Sequence, residues 1–240
     1  MSKDDKPLTS FDFIKGEMLL VDKPKEWTSF DVVNKLRSTI RKKLGIKKIK
    51  VGHAGTLDPM ATGLLIVCTG KFTKQLSEYQ GMPKEYIGTL QLGATTPSYD
   101  AETAIDAQFP TDHITSELLE RARQQFLGDI EQKPPIFSAI KVDGQPLYKK
   151  ARKGESVEIK SRPVKIYDFD LLSKDLPNID FEVKCSKGTY IRSLAYDFGK
   201  AVESGAYLTR LQRTKIGEYD VKDAWSLEEL VERIKEELVL

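Results

Sequence analysis

The residue of this sequence with the clearest chemical potential is Asp58, in the segment VGHAGTLDPMATG. Pro59 follows it directly, and proline fixes its own φ and pushes the preceding residue toward extended geometry. Gly52, Gly55 and Gly63 permit unusual dihedral angles and close approach of other backbone. A carboxylate on such a stiff loop suits a nucleophile or a general base. An ordinary Asp-Pro turn is the competing interpretation, and spacing alone favours that turn.

Two cationic or titratable residues extend this candidate site. His53 precedes the aspartate by five residues, and it is either a hydrogen-bonded structural residue or a group that stacks on, or replaces, a nucleic-acid base. In CSKGTYIRSLAYDFG a helix is predicted to start near Thr189, which places Arg192 in its first turn. Because the helix dipole disfavours cations there, Arg192 requires a carboxylate or a phosphate partner, unless it simply points into water.

Two tyrosines have a structural interpretation when they are taken alone. Tyr86 lies in the predicted strand EYIGTLQL, on the face that also carries Leu90 and Leu92. Tyr190 lies in the segment that leads into the predicted helix. The residue pattern by itself favours core aromatics at both positions.

Charge is unevenly distributed along the chain, although the net charge is only +2. The stretch from Arg37 to Lys50 contains no acidic residue, and a second basic cluster comprises Lys149, Lys150, Arg152 and Lys153. Acidic residues concentrate in the last predicted helix, WSLEELVERIKEELVL. This segregation fits a polyanion-binding face or a solvated helix surface about equally.

Several classes of protein are excluded by composition. No apolar run approaches the roughly 20 residues that span a bilayer, and the N-terminus lacks the apolar core of a secretory signal. Cys68 and Cys185 each lie in a predicted strand, which indicates buried, reduced thiols in a cytoplasmic protein. With two histidines and two cysteines, none in spaced pairs, we expect no metal site.

The predicted elements favour an α+β fold, in which a mixed, mainly antiparallel sheet is flanked by helices. We expect one domain over residues 1–240, with residues 1–16 frayed and residues 131–156 forming an excursion from the core. Thr28 or Ser29 is predicted to cap a helix that ends at Gly45. The motif Ser-x-x-Glu at 226–229 predicts a capping box.

Five segments in fixed order resemble the bacterial tRNA pseudouridine synthases of the TruB type. They are LLVDKPKEWTSFDVV, GHAGTLDPMATGLL, KEYIGTLQLG, CSKGTYIRSLAYDFG and GAYLTRLQRTKIG. The resemblance runs from about Gly16 to Tyr219, and it overturns the preference for a simple turn at Asp58. It implies the pseudouridine synthase fold, with the excursion at 131–156 as an RNA-gripping insertion.

The resemblance also implies catalytic roles. Asp58 would be the essential carboxylate. It would attack C1′ or C6 of the uridine, or drive cleavage of the glycosidic bond by a glycal route. Tyr86 would stack on the target base and serve as a proton acceptor. Arg192 would pair with Asp58 and favour its ionised form, and His53 would fill the space that the flipped base leaves.

The remaining expectations concern the pocket and the partner. Tyr190 and Leu211 would line the pocket, and Lys23 would support the active-site segment. The substrate would be the uridine at position 55 in the T-loop of tRNA, recognised through the shape of the T-arm. The isomerisation involves no net redox change and transfers no external group, so we expect no cofactor. We also expect a monomer that lacks the C-terminal PUA domain carried by many relatives.

Two other functions compete with this prediction. An RNA-binding or tRNA-folding factor would need only the basic surface, without the three catalytic residues. A base-releasing glycosidase would normally need a second catalytic carboxylate, and the sequence offers none beside Asp58.

Overall fold

A computed structural model describes residues 11–138, 140–142, 144–147 and 157–236. The α-helices of this part of the chain are α1 (Ser29–Leu44), α2 (Leu76–Gly81), α3 (Ser116–Gln124), α4 (Ile191–Ala201) and α5 (Leu227–Glu236). Two 3-10 helices cover Gly70–Gln75 and Val221–Asp223. None of these helices combines the length and the hydropathy that crossing a bilayer requires.

The strands of the same residues are β1 (Met18–Lys23), β2 (Val51–His53), β3 (Thr62–Thr69), β4 (Lys84–Leu92), β5 (Ala94–Thr95), β6 (Ala107–Gln108), β7 (Gly128–Gln132), β8 (Lys141–Val142), β9 (Gln145–Pro146), β10 (Arg162–Asp175), β11 (Asn178–Cys185), β12 (Ala206–Ile216), β13 (Tyr219–Asp220) and β14 (Trp225–Ser226). Strand β7 and the short pairs β5–β6 and β8–β9 were not predicted from the sequence. The four strands of the two short pairs have two residues each, which is too few to show an alternating pattern.

The chain forms two compact units. Unit 1 comprises Met1–Tyr86 and Leu211–Leu240, and unit 2 comprises Ile87–Arg210. Both boundaries fall inside strands, β4 and β12, so no linker composition marks them in the sequence. The single catalytic domain therefore stays a prediction.

Unit 1 has the strand order β14-β1-β3-β12, with β2 on β3 and β13 on β12. Strands β1 and β3 are antiparallel, whereas β12 meets β3 in parallel at Gln212 and Arg213. Helix α1 buries its apolar stripe against this sheet and against α5; the stripe consists of Val32, Val33, Leu36 and Ile40. The predicted caps are confirmed, since Thr28 caps α1 and Gly45 ends it in the left-handed region.

The prediction that residues 1–16 are frayed is wrong for residues 11–16. Phe11 and Phe13 are buried in the core formed by α1, α5 and β1. Two large aromatic side chains bury enough apolar area to order this segment, although its polar neighbours concealed the signal. Residues 1–10 lie outside the described part of the chain.

Unit 2 has the strand order β12-β4-β11-β10-β7. Strand β10 pairs antiparallel with both β11 and β7, and β11 alternates buried and exposed residues as predicted. Phe169, Phe181 and Phe198 meet edge to face and join this sheet to helix α4. The mixed, mainly antiparallel sheet with flanking helices confirms the predicted α+β fold.

Candidate active site

The Asp58 loop, residues 54–61, connects β2 to β3, and a constrained glycine lies near each of its ends. Gly55 has φ of 100° and Gly63 has φ of 103°, both in the region that favours glycine. A Cβ on Gly63 would lie 2.3 Å from the carbonyl oxygen of Arg213 on β12. Because backbone atoms rather than a flexible side chain create this contact, only glycine allows β3 and β12 to approach here.

Helix α1 holds the loop immediately before Asp58. The hydroxyl of Ser29 accepts a hydrogen bond from the Leu57 N–H (2.8 Å) and donates one to the Leu57 carbonyl (3.2 Å). Beyond Asp58, the N–H of Glu26 donates to the Pro59 carbonyl (2.7 Å), and the Ala61 N–H donates to the Asp58 carbonyl (3.1 Å). The backbone that carries the half-buried Asp58 carboxylate is therefore held by hydrogen bonds both before and after this residue.

Lys23 connects the same loop to the end of β1. Its fully buried ammonium group donates to the carbonyls of Pro24 (2.8 Å), Trp27 (2.6 Å) and Pro59 (3.4 Å). Burial lowers the pKa of Lys23 to about 8, with the Asp58 carboxylate opposing this shift and the Arg213 guanidinium adding to it. The three carbonyls occupy all three donor positions of the ammonium, as a supporting residue requires.

This lowered pKa predicts how Lys23 contributes to the pH dependence of stability. Between about pH 8 and 10.5 the unfolded chain retains the proton that the folded chain has released, so stability rises with pH in that window. From pH 7 to pH 10 the wild type should gain about 2 kcal/mol relative to Lys23→Met. Urea unfolding at pH 7, 9 and 10 measures the difference; parallel pH profiles for the two proteins would contradict it.

Glu26, which is hydrogen-bonded to the Asp58 loop, has a strained backbone conformation. Its φ is 70°, in the left-handed region where a side chain is strained. Glu26→Gly should therefore raise the free energy of unfolding by about 0.5 kcal/mol, after the greater chain entropy of unfolded glycine is subtracted. Lys25→Gly is the matched control and should be destabilising. A loss of stability in Glu26→Gly would show that its side chain contributes more than its backbone strain costs.

Arg213 is a buried residue of this site that the sequence did not reveal. Its side chain is 1% exposed; Nε donates to the Leu64 carbonyl (2.8 Å) and Nη2 to the Gly55 carbonyl (3.1 Å). Burial lowers the pKa of His53, and the nearby Arg213 guanidinium lowers it further. A backbone hydrogen bond with Gly55 opposes this shift. His53 is therefore neutral at neutral pH.

Two other predicted site residues belong to unit 1. Tyr86 is buried on β4, on the same face as Lys84, and Leu211 is buried on β12. The prediction that Tyr86 shares its face with Leu90 and Leu92 is confirmed by the alternating burial of β4.

Arg192 and Tyr190 belong to unit 2. Arg192 is the second residue of α4, in the first turn as predicted, and its side chain is buried rather than exposed to water. Within this unit its Nη1 lies 3.5 Å from Oδ2 of Asp100, and it donates to the carbonyls of Ser98 (3.1 Å) and Phe137 (3.0 Å). Asp100 is fully buried and also accepts from the hydroxyl of Ser98. A carboxylate thus offsets the unfavourable dipole position of Arg192.

The backbone of Tyr190 is fixed by a buried glutamine. Gln132 on β7 accepts from the Tyr190 N–H (2.7 Å) and donates to the Tyr190 carbonyl (3.1 Å). The guanidinium of Arg162 lies 4.7 Å from the centre of the Tyr190 ring. The helix starts close to the predicted position near Thr189, with Tyr190 as its N-cap residue, and the Tyr190 side chain makes no capping bond.

The second basic cluster of the sequence, Lys149, Lys150, Arg152 and Lys153, lies outside the described residues. The predicted insertion at 131–156 is described only in part, and β7 shows that residues 131 and 132 belong to the sheet of unit 2. Cys68 and Cys185 are buried free thiols, as predicted.

Comparisons with known proteins identify the family to which this chain belongs. Residues 41–191 match the model of the TruB family pseudouridylate synthase (N terminal domain). A curated relative from Flavobacterium johnsoniae, named tRNA pseudouridine synthase B, is 62% identical over 218 residues, which cover 90% of this chain and 95% of the relative. A relative of the same name from Phocaeicola vulgatus is 59% identical over 220 residues, covering 92% and 94%.

Solved structures show the same fold. A chain of a Cbf5-Nop10-Gar1 complex has a TM-score of 0.67 and 26% identity over 96% of this chain. The protein described here spans 57% of that chain's length. Fold and site thus define a pseudouridylate synthase. The chain belongs to the TruB family.

The residues that sequence reasoning missed have one property in common. Ser29, Arg213, Asp100 and Gln132 are buried polar side chains whose partners are distant in the sequence. The first-turn position of Arg192 did indicate an anionic partner, either a carboxylate or a phosphate, but nothing in the local sequence identified Asp100 as that partner.

Proposed function

We propose that this protein converts the uridine at position 55 in the T-loop of tRNA into pseudouridine. The observation that carries the proposal is the Asp58 loop, where Ser29, Glu26 and Lys23 hold the backbone around one carboxylate. A site built to react with one displaced base needs such preorganisation. The relatives at 62% and 59% identity are named for pseudouridine synthesis in tRNA, which supports the choice of substrate.

The proposed reaction separates uracil from its ribose, rotates it and rejoins it through carbon. The enzyme must first extract the base from its stack and then retain it until the new bond forms. Asp58 is the essential carboxylate, and Tyr86 stacks on the base and accepts a proton. We propose that Arg192 pairs with Asp58 to orient it.

The other site residues act on the position of the substrate. His53, which is neutral, fills the space that the flipped uridine vacates, because an uncharged ring can stack between neighbouring bases. Tyr190 and Leu211 line the pocket, and Lys23 supports the Asp58 loop. We propose that the protein acts as a monomer in the cytoplasm. It needs no cofactor, because the isomerisation brings in no external group and causes no net redox change.

Tritium release from 5-labelled uridine in T-arm RNA tests this function. The proposal expects one equivalent of tritium per RNA and no free uracil, since the base is rejoined. RNA whose target uridine is replaced by cytidine is the control and should release none. Binding without release would favour an RNA-folding factor, and free uracil among the products would indicate a glycosidase.

A further inference from the structure

One face of helix α4 meets three consecutive residues of unit 2. Arg192 and Tyr196 are four residues apart on α4, so their side chains leave the helix on the same face. The carbonyl of Ser98 accepts a hydrogen bond from the Arg192 guanidinium (3.1 Å), and the Asp100 carboxylate lies 3.5 Å from that guanidinium. Tyr99, between these two residues, stacks on Tyr196 with 3.9 Å between the ring centres and 14° between the ring planes. We call this pair of rings the tyrosine stack.

Tyr99 has a backbone conformation that tyrosine rarely adopts. Its φ is 64°, in the left-handed region, where a Cβ crowds the following carbonyl oxygen. Hydrogen bonds hold the backbone on both sides, since the Tyr99 N–H donates to the Thr96 carbonyl (3.1 Å) and the Leu208 N–H donates to the Tyr99 carbonyl (3.0 Å). Glycine adopts this φ without strain. A tyrosine at a strained position beside functional groups indicates that its side chain has a role.

The tyrosine stack fixes the orientation of its two partners. Stacked aromatic rings gain more than their buried area alone provides, and this gain depends on the ring geometry. The Lys200 ammonium, four residues further along α4, lies 4.6 Å from the centre of the Tyr196 ring. Both rings are only half-buried. Their contact therefore holds Ser98, Tyr99 and Asp100 against α4 at the surface of unit 2 rather than filling its core.

The aromatic ring of Tyr99, rather than its hydroxyl, makes this contact. Burial, with further contributions from Tyr196 and Asp197, raises the pKa of Tyr99 to about 12. The hydroxyl is therefore protonated at neutral pH and carries no charge into the stack. Phenylalanine, which keeps the ring, should replace this tyrosine without loss.

We propose that the tyrosine stack positions Arg192 for the reaction. Because the stack holds the segment from Ser98 to Asp100 against α4, the carbonyl and the carboxylate that contact the guanidinium keep their places. Tyr99 and Tyr196 are positioning residues and touch no reacting atom. This inference rests on the proposed function, in which Arg192 pairs with Asp58. A guanidinium that can tilt loses the geometry on which such a pairing depends.

The first test compares two replacements of Tyr99 by their kcat and KM for tritium release. Tyr99→Gly removes the ring together with the backbone strain, so its melting temperature should stay within about 3 °C of the wild type. Its kcat should fall about 10-fold, while its KM for tRNA stays within about twofold. Tyr99→Phe keeps the ring and should keep both constants within about twofold of the wild type.

The second test removes the other ring. Tyr196→Leu should lower kcat about 10-fold, whereas Tyr167→Leu, which changes an exposed tyrosine of β10, is the matched control and should leave kcat unchanged. Because both rings act through one contact, Tyr99→Gly/Tyr196→Leu should lose about 10-fold, as each single variant does, rather than about 100-fold. Hydrogen exchange of the Arg192 Nε–H, followed by NMR, should be about 10-fold faster in Tyr99→Gly than in Tyr99→Phe.

Other outcomes overturn the proposal. Wild-type kcat in Tyr99→Gly contradicts it, and so do losses that multiply in the double variant. A rise in KM with unchanged kcat would show that the rings contact RNA instead. If the wild type releases no tritium, the proposed function fails, whereas the exchange rate of the Arg192 Nε–H still decides whether the stack orients this side chain.

Discussion

Replacing Asp58 by asparagine should reduce pseudouridine formation by about 10⁴-fold or more, the scale seen when an enzyme loses its reacting side chain. Asparagine has nearly the same shape, but it has neither the negative charge nor the nucleophilic oxygen of a carboxylate. The loop backbone is held by Ser29 and Lys23, whose bonds do not involve the substituted side chain. Tritium release from 5-labelled T-arm RNA measures the loss.

Two measurements make this result specific. The Kd of Asp58→Asn for tRNA should stay within about threefold of the wild type, because phosphate contacts dominate affinity. Asp112→Asn, which changes an exposed aspartate, should retain full activity. Substantial tritium release by Asp58→Asn would remove this residue from the mechanism.

Replacing Asp100 by asparagine should lower the free energy of unfolding by about 3 kcal/mol. The buried carboxylate faces Arg192, with 3.5 Å between Oδ2 and Nη1. An amide nitrogen at the Oδ2 position would place two donors against each other and leave the guanidinium charge without this partner. Because Arg192 is the proposed partner of Asp58, activity should also fall, by about 10²-fold.

Urea unfolding measures the free energy of unfolding of Asp100→Asn, with Asp129→Asn as a separate control variant. The Asp129 side chain is 81% exposed and lies 3.8 Å from Lys165, so its loss should cost no more than about 0.5 kcal/mol. The double variant Asp100→Leu/Arg192→Met should recover part of the lost stability, since it removes both members of the buried pair. Equal losses for Asp100→Asn and Asp129→Asn would mean that the buried pair is not a significant source of stability.

Sequence reasoning succeeded where structure is determined locally. Thr28 and Gly45 mark the ends of α1 because caps act within one turn, and Ser226 and Glu229 form the predicted capping box. The alternation in β11 likewise follows from adjacent residues on opposite faces of one strand.

The remainder depends on contacts between residues that are far apart in the chain. Arg213 donates to a carbonyl 149 residues away, and Arg192 to one 94 residues away. No local pattern distinguishes Arg213 from an exposed arginine, and the first-turn position of Arg192 does not identify its partners, because burial is a property of the assembled fold. The Asp58 loop was recognised only through its resemblance to a family, since its glycines and proline alone are those of a common turn.

The hydroxyl of Ser29 has a consequence for the motion of the loop. It bonds both the amide and the carbonyl of Leu57, so the loop cannot open without separating from helix α1. Amide hydrogen exchange at Leu57 should therefore be as slow as in the strands of unit 1, rather than fast as in an exposed turn. A loop that is already ordered before RNA arrives loses little conformational entropy on binding, so binding energy remains available to extract the base from its stack.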